Sequence, residues 1–445
     1  SVGQYGPLVH FGATMGSFIR TFTGSKITTD VFIGCGVAGA IAAGFSAPIA
    51  GVVFAHEAIL RHFSLRAITP IAISSITAAW VSKWIFGAEP LFLISGSAPD
   101  LIELLPAALI AGPIFGFVAV IFMQSLRRCS TVAAKSGWSP ARLLFSAALI
   151  TGCVGMFVPE VLGLGGETVA AVLNDAFNGS YLVVLLFLKL TVTAICIGFG
   201  MFGGIFSPAM FVGVSAGGIS SHVLQLLGFS LAGPGLAICG MAAVAAAVIG
   251  APVSGVLIIL EMTMSYEYAL AAMLSIVTST LVANATFGHS FFDRQLLDRN
   301  IDVSQGRGHI EMMESPVIEI ISKNFVKISD TSTVDKAIQI LVSEEAAEGY
   351  VLKSDNGAFL GKVVLYDLVQ QEDTQLVANH CISHPISIKD DASLQQAIEV
   401  ASDFVGESIP VVNRDTNDLR GVVTEADLFK LYLKLQTRVS DLERS

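Results

Sequence analysis

The sequence predicts an all-α, multi-pass membrane domain of tilted, broken helices, followed by a soluble α/β domain of two similar units. Three observations carry that prediction. Of 445 residues, 53% are hydrophobic and 14% charged, with a mean hydropathy of +0.70; soluble globular domains carry about 25% charged residues. Charge is also unevenly spread. Residues 1–300 hold 12 Lys/Arg and 12 Asp/Glu, whereas residues 301–445 hold 13 and 24, so the whole net charge of −11 falls in the tail. Finally, the front half-repeats itself: "GQYGPLVHFGATMG" from Gly3 and "GIFSPAMFVGVSAG" from Gly204 both read Gly-x-aromatic-x-Pro before an apolar run. The boundaries that follow are a membrane domain over 1–300, a linker over 301–314 and α/β units over 315–372 and 373–437.

Taken in order, the apolar segments are 8–19, 31–45, 49–60, 67–86, 102–124, 141–158, 181–199, 206–227, 231–250, 252–264 and 268–287. Several are shorter than the ~20 residues a perpendicular span needs. Gly and Pro interrupt them at "GFSAPIAG", "FGGIFSPAMF" and "VIGAPVSG". Broken helices cannot leave backbone groups facing lipid, so they must be buried among neighbours or line a cavity. That pattern belongs to a transporter or channel rather than to an anchor. The six cysteines show no metal-ligand spacing, and five lie in or beside apolar runs, where a thiol packs as a small hydrophobe. The chain opens at Ser1, without Met, inside the first motif, and reads as a piece of a longer protein with membrane segments upstream.

The duplicated motif has a physical reading. Gly3 and Gly204 are 201 residues apart, and "APIAGVVFAHE" at 47–57 and "APVSGVLIILE" at 251–261 are 204 apart. Two landmarks at nearly one offset predict duplicated halves, which in transporters place the substrate site at broken helices in matching positions. Pro7 and Pro208 suit the first turn of a helix, where a missing N–H costs nothing. First-turn N–H groups are unpaired and carry the positive end of the helix dipole. Two such ends aimed at one buried point make an anion site without a full positive charge, weak enough to release the ion. Close packing of membrane helices is the better account of a lone Gly-x-x-x-Gly, whereas two matched entries and a matched Ala-Pro pair turn the reading toward an ion site.

At these residues the chain resembles the CLC family of chloride channels and chloride/proton exchangers, through "GQYGP" at 3–7, "GGIFSP" at 203–208, "FSAPIAGVVFAHE" and "IGAPVSGVLIILEMT". The resemblance covers about residues 1–300 and implies an inverted repeat, a homodimer with one anion pathway per subunit, and a further serine motif upstream of Ser1. It assigns the pathway to Gly3, Gln4, Tyr5, Gly6 and Pro7, and to Gly204, Ile205, Phe206, Ser207 and Pro208, with Phe292 where the family places a chloride-touching tyrosine. The family's usual motif is Gly-Lys/Arg-Glu-Gly-Pro, and its glutamate gates the pathway and carries protons. Here that gate position is Tyr5. The inner proton-transfer carboxylate of the exchangers aligns with Ala58, with Glu57 one residue before it. A phenol, with a reference pKa of about 10, does not exchange protons near neutral pH. The proton route therefore looks broken at both ends.

Three side chains stay open. His56 and Glu57 form a candidate proton or pH pair, since an intramembrane carboxylate needs a partner; the competing readings are a neutral, buried His56 with one backbone partner, and a Glu57 that, like its repeat mate Glu261, satisfies a helix end or faces the cytoplasmic vestibule. Lys189 either adds positive potential to the pathway or snorkels to an interface.

In the tail, "FLGKVVLYDL" and "LRGVVTEADL" align, Gly361 to Asp367 matching Gly421 to Asp427. Each unit reads as strand, amphipathic helix, two short strands and a helix, and the pair resembles tandem CBS (cystathionine-β-synthase) domains. Thr424 and Asp427 match a nucleotide-binding pattern of such domains, which implies an adenine nucleotide at one cleft; a helix N-cap by Thr424 explains the same residues.

These readings converge on passive conduction of chloride or a similar small anion, regulated by the α/β pair. The alternatives are proton-coupled antiport with atypical residues and a non-conducting membrane sensor. No basic patch exists to hold nucleic acid. No nucleophile–base or metal constellation suggests an enzyme, and no cofactor is required. The expected setting is the inner or plasma membrane of a bacterium, with the α/β units cytoplasmic.

Overall fold

The computed structural model describes residues 1–24, 27–87, 100–229, 234–299, 301–302, 307–355 and 357–444. Residues 231–233, which open one predicted apolar segment, and 303–306 of the predicted linker lie outside them. The chain forms two compact units, Ser1–Arg299 and Asn300–Arg444.

The first unit is helical throughout. Its opening set is α1 (Tyr5–Thr23), α2 (Thr29–Phe45), α3 (Pro48–Phe54, continued by a π-helical turn Ala55–Leu60) and α4 (Leu65–Phe86). Then come α5 (Leu101–Lys135), α6 (Pro140–Phe157), α7 (Gly166–Leu173) and α8 (Gly179–Gly198). The closing set is α9 (Phe206–Leu226), α10 (Gly235–Ile249), α11 (Pro252–Thr263) and α12 (Tyr266–Thr286), followed by α13 (Phe291–Leu297). Six helical stretches among the described residues are long and apolar enough to cross a membrane. The shorter ones, α2, α3, α10 and α11, carry much of the repeat.

The duplication is visible in the packing. α1 meets α2 where a Cβ on Gly12 would strike the Gly36 carbonyl, and one on Gly36 would strike Gly12. α9 meets α10 in the same way through Gly213 and Gly240. Gly16 against Phe32 is likewise repeated as Gly217 against Leu236. Only glycine lets these backbones touch. α10 is buried along its whole length, which its run of Ala and Gly between neighbouring helices permits.

The ends of the short helices are tied across the halves. Glu57 accepts from the N–H groups of Val253 (2.9 Å) and Ser254 (2.8 Å) at the start of α11. Glu261, its repeat mate, accepts from Ile49 (3.0 Å) and Ala50 (2.8 Å) at the start of α3. Each carboxylate thus satisfies the free donors of the other half's helix. Such reciprocity is what a local twofold produces.

The second unit holds two small sheets. β1 (Lys327–Ser329), β2 (Glu348–Leu352), β3 (Phe359–Val364) and β4 (Ile382–Ser383) form one, in that order, with β1 parallel to β2 and the rest antiparallel. β5 (Ile388–Lys389), β6 (Ile409–Val412) and β7 (Leu419–Val423) form the other, again parallel then antiparallel. Around them lie α14 (Arg307–Glu314), α15 (Val334–Ser343), α16 (Leu365–Leu368), α17 (Leu394–Ser402) and α18 (Glu425–Arg444). The two halves exchange their opening segments. Val317 sits in the core of the 388–435 half, and Ser322 bridges Val422. Val377 sits in the core of the 328–368 half, and β4 extends its sheet. Both sequence boundaries, 315 and 373, thus fall just before a segment that packs into the other half.

Candidate functional site

The two helix-start motifs meet. Gly3 and Gly204 form an antiparallel bridge, each N–H donating to the other's carbonyl at 2.6 Å. A Cβ on Gly6 would lie 2.9 Å from the Gly204 Cα, so the two chains touch at backbone level. Beyond the bridge, Leu8 donates to Gln4 at 3.0 Å and Ala209 to Ile205 at 2.9 Å as the helices begin. The N–H groups of Tyr5 and Gly6, and of Phe206 and Ser207, precede those first bonds, and Pro7 and Pro208 have none to offer. Two helix N-termini therefore start from one buried point.

Side chains close that point. The Tyr5 ring stacks on Phe45 at 3.9 Å between centroids, with planes 19° apart, and meets Phe206 edge-on at 5.6 Å. Phe45 and Phe206 are 4.9 Å apart. Tyr5 and Phe45 are buried, and Tyr5 Oη donates to the Gly44 carbonyl at a long 3.4 Å. The Ser207 hydroxyl, on a residue 7% exposed, has no hydrogen-bond partner among the described residues. A buried polar atom left unpaired is expensive. Below Phe206, a cavity of about 20 Å³ runs between Phe54, Met210, Ile249, Ser254 and Ile258, with room for about one water.

Gly3, Gln4, Tyr5, Gly6 and Pro7 are thus brought against Gly204, Ile205, Phe206, Ser207 and Pro208. Phe292 is not among these rings: it is 43% exposed and packs edge-on against Phe291 at 5.9 Å. α13 seats Phe291 inward, and Phe292, one residue on, turns outward. His56 and Glu57 do not pair with each other either. Glu57 is committed to the start of α11, where Ser254 Oγ adds a bond of 2.6 Å. His56 Nδ1 lies 3.0 Å from the His62 carbonyl, and its ring stacks on Phe63 at 5.3 Å. Its Nε2 is buried without a partner among the described residues. Both sit on the π-helical turn Ala55–Leu60, a form that often marks functional positions. No periodicity in the sequence signals that turn.

Lys189 does not snorkel. It is fully buried, donating to the carbonyls of Val161 (2.9 Å) and Gly163 (3.2 Å) with Nζ 4.8 Å from the centre of the Phe211 ring. In the second unit, Thr424 and Asp427 bind each other. Thr424 Oγ donates to Asp427 Oδ2 at 2.7 Å and accepts from the Asp427 N–H at 3.1 Å. That is the helix-cap arrangement at the start of α18.

The voltage gated chloride channel family model matches residues 1–284, well over half of the chain. The chain belongs to that family. A CBS domain follows at residues 377–434. A protein described as ClcB-like, from Ralstonia nicotianae, is 31% identical over 317 residues, spanning 68% of this chain and 72% of its own length. The H⁺/Cl⁻ exchange transporter ClcA of Vibrio cholerae is 29% identical over 67% of this chain and 66% of its own. The chain thus spans about two thirds of the length of these relatives. The crystal structure of a slow cyanobacterial Cl⁻/H⁺ antiporter superposes with a TM-score of 0.59 at 24% identity, over 67% of this chain and 72% of that one, and shares the fold. This CLC protein is a multi-pass membrane protein of an anion-transport family.

Proposed function

We propose that this CLC protein conducts chloride, or a similar small anion, passively between the two helix N-termini that meet at Gly3 and Gly204. The observation that carries the reading is that juncture. Free first-turn amides from both halves and the unpartnered Ser207 hydroxyl converge there, and no carboxylate occupies position 5. Backbone dipoles hold an anion without the tight grip of a lysine. Nothing is cleaved or transferred, so the role is translocation rather than catalysis. The physiological unit is a homodimer with one pathway per subunit. The CBS region acts as a regulatory element, and an adenine nucleotide is its candidate ligand if Thr424 and Asp427 can exchange their mutual bonds for ribose hydroxyls. Arg127, Arg128 and Lys135 end α5, and Arg294 and Arg299 end the first unit, with Arg127 bound to Asp298 at 2.9 Å. By the positive-inside rule that end faces the cytoplasm, and the chain leaves from it toward the CBS region.

The test is efflux from reconstituted liposomes. Passive conduction predicts chloride release that leaves an imposed pH gradient untouched. Protons moved uphill by a chloride gradient would instead establish the second reading, coupled exchange. Two observations favour that second reading: the naming of the Vibrio cholerae relative as an H⁺/Cl⁻ exchanger, and the unpartnered His56 Nε2 on the π turn.

A further inference from the structure

At the meeting point of α1 and α9 lies the Tyr5 ring, whose stacking partner comes from a third element, α2. We propose that Phe45 is the positioning residue of the gate: it holds Tyr5 over the meeting point of α1 and α9, and unstacking of the two rings admits the anion. The inference rests on the reading of Tyr5 as the gate position.

The geometry is specific. Phe45 is the last residue of α2 and is 1% exposed. Its ring lies nearly parallel to Tyr5 at 3.9 Å, closer than either ring lies to Phe206. The hydroxyl's contact with the Gly44 carbonyl is long, at 3.4 Å, whereas the ring contact is close. The preceding Gly44 supplies the floor: a Cβ there would come within 3.0 Å of Tyr5 Cε1 and 3.2 Å of Cδ1. A flat glycine and a stacked phenylalanine therefore fix the orientation of Tyr5, while Tyr5 itself offers no charge for an anion to displace. In a gate that works by charge, the carboxylate competes directly with the ion. Here the opening step is the loss of ring contact, so its rate is set by how well Phe45 holds Tyr5. An offset-stacked pair contributes enough beyond simple burial to change a rate about two- to twelve-fold.

The experiment is chloride efflux from liposomes containing the full chain in six forms: the parent protein, Tyr5→Ala, Tyr5→Phe, Phe45→Leu, Gly44→Ala, and Tyr5→Ala combined with Phe45→Leu. Tyr5→Ala should release chloride faster than the parent protein, and Tyr5→Phe, which keeps the ring, should match it. Phe45→Leu, which keeps the site apolar but removes the stack, should accelerate efflux by about two- to twelve-fold. Gly44→Ala should accelerate it too, by pushing the Tyr5 ring off its seat without altering Phe45. In the Tyr5→Ala background, Phe45→Leu should change nothing. A role in packing alone would shift both backgrounds equally, and that result overturns the proposal. So does a fast Tyr5→Ala beside a Phe45→Leu that matches the parent. If no form exceeds protein-free vesicles, the anion-pathway reading itself fails and the gate falls with it.

Discussion

At position 5 a phenol stands where the family motif carries a carboxylate, and the exchange of one residue alters what the gate can respond to. A carboxylate placed there would sit against two helix N-termini, whose dipoles favour its charged form. Tyr5→Glu should therefore slow chloride efflux near neutral pH, because the anionic side chain takes the ion's place. Acidification should restore the flux as the side chain is neutralised. Efflux compared at pH 7.5 and 4.5 checks this, and a rate as flat with pH as that of the parent protein would remove position 5 from the gate. Another single residue tests stability in the second unit. Lys362, 4% exposed, pairs with Glu348 at 2.6 Å and lies 4.8 Å from the centre of the Phe404 ring. Glu348 also accepts from the N–H groups of Glu407 and Ser408, both at 3.1 Å. Lys362→Met leaves that carboxylate buried and without its cation, and should lower stability by about 3–5 kcal/mol. Denaturant unfolding followed by circular dichroism measures it, and the added change Glu348→Gln should recover part of the loss.

At the scale of the element, the repeat was legible because glycine and proline recur at matched positions in both halves. Glycine at 12, 36, 213 and 240 serves close backbone contact, and proline at 48 and 252 starts a helix. Among the described residues the apolar runs became helices because hydropathy alone marks a segment that lipid or core must surround. Other features left no such mark. The π turn adds a residue that no hydrophobic period reports. α7 is eight residues long, too short for a pattern, and α5 runs on to Lys135 past the apolar stretch because its last turns are basic. The exchange of Val317 and Val377 between halves is a long-range event, and Phe291 or Phe292 could equally have faced inward until α13 was placed. The reciprocal caps lie between these extremes: the two glutamates were visible as repeat mates, but their targets were 196 to 212 residues away. Glu57→Gln and Glu261→Gln should each destabilise the membrane unit by about 1–3 kcal/mol, since each weakens a charge-assisted pair of backbone bonds, with Glu57→Gln the larger because Ser254 Oγ adds a third bond there. Thermal unfolding in detergent checks both losses, and an effect at only one site would deny the symmetry. In the α/β unit a similar device repeats at Asp330 and Asp390, which accept from the N–H groups of Ser354 (3.0 Å) and Arg414 (3.1 Å). The Ser354 hydroxyl holds the Asp330 carboxyl below its usual range. A depressed carboxylate lends stability that is present above its unfolded value, about pH 4, and is lost as pH falls through the folded one. Ser354→Ala should therefore make acid unfolding of this unit begin at a higher pH, as followed by far-ultraviolet circular dichroism.

For the whole molecule, the caps have a consequence for assembly. By binding α3 to α11, they bring the two halves' short helices side by side, and α4 and α12 pack against them. The outward faces of these four helices are apolar: Ile49, Ile73, Ile76, Trp80, Val253 and Val277 are each about half exposed or more. In a bilayer such a face gains nothing merely by leaving water, so association there depends on shape and on close contact between side chains. A face built symmetrically from both halves suits a second copy, because an isologous interface requires one surface to complement itself. The purified protein should therefore run in detergent at twice the 46.8 kDa of one chain, after correction for bound detergent. A bulky change at the middle of the face, Ile76→Trp, should spoil that complementarity and yield monomers. Because the Gly3–Gly204 juncture is built within one chain, those monomers should still release chloride at the parent rate per subunit. Light scattering and liposome efflux on the same preparation test both halves of the prediction. Monomers without flux would show that the pathway needs residues from both subunits, and an unchanged dimer would move the interface to another face.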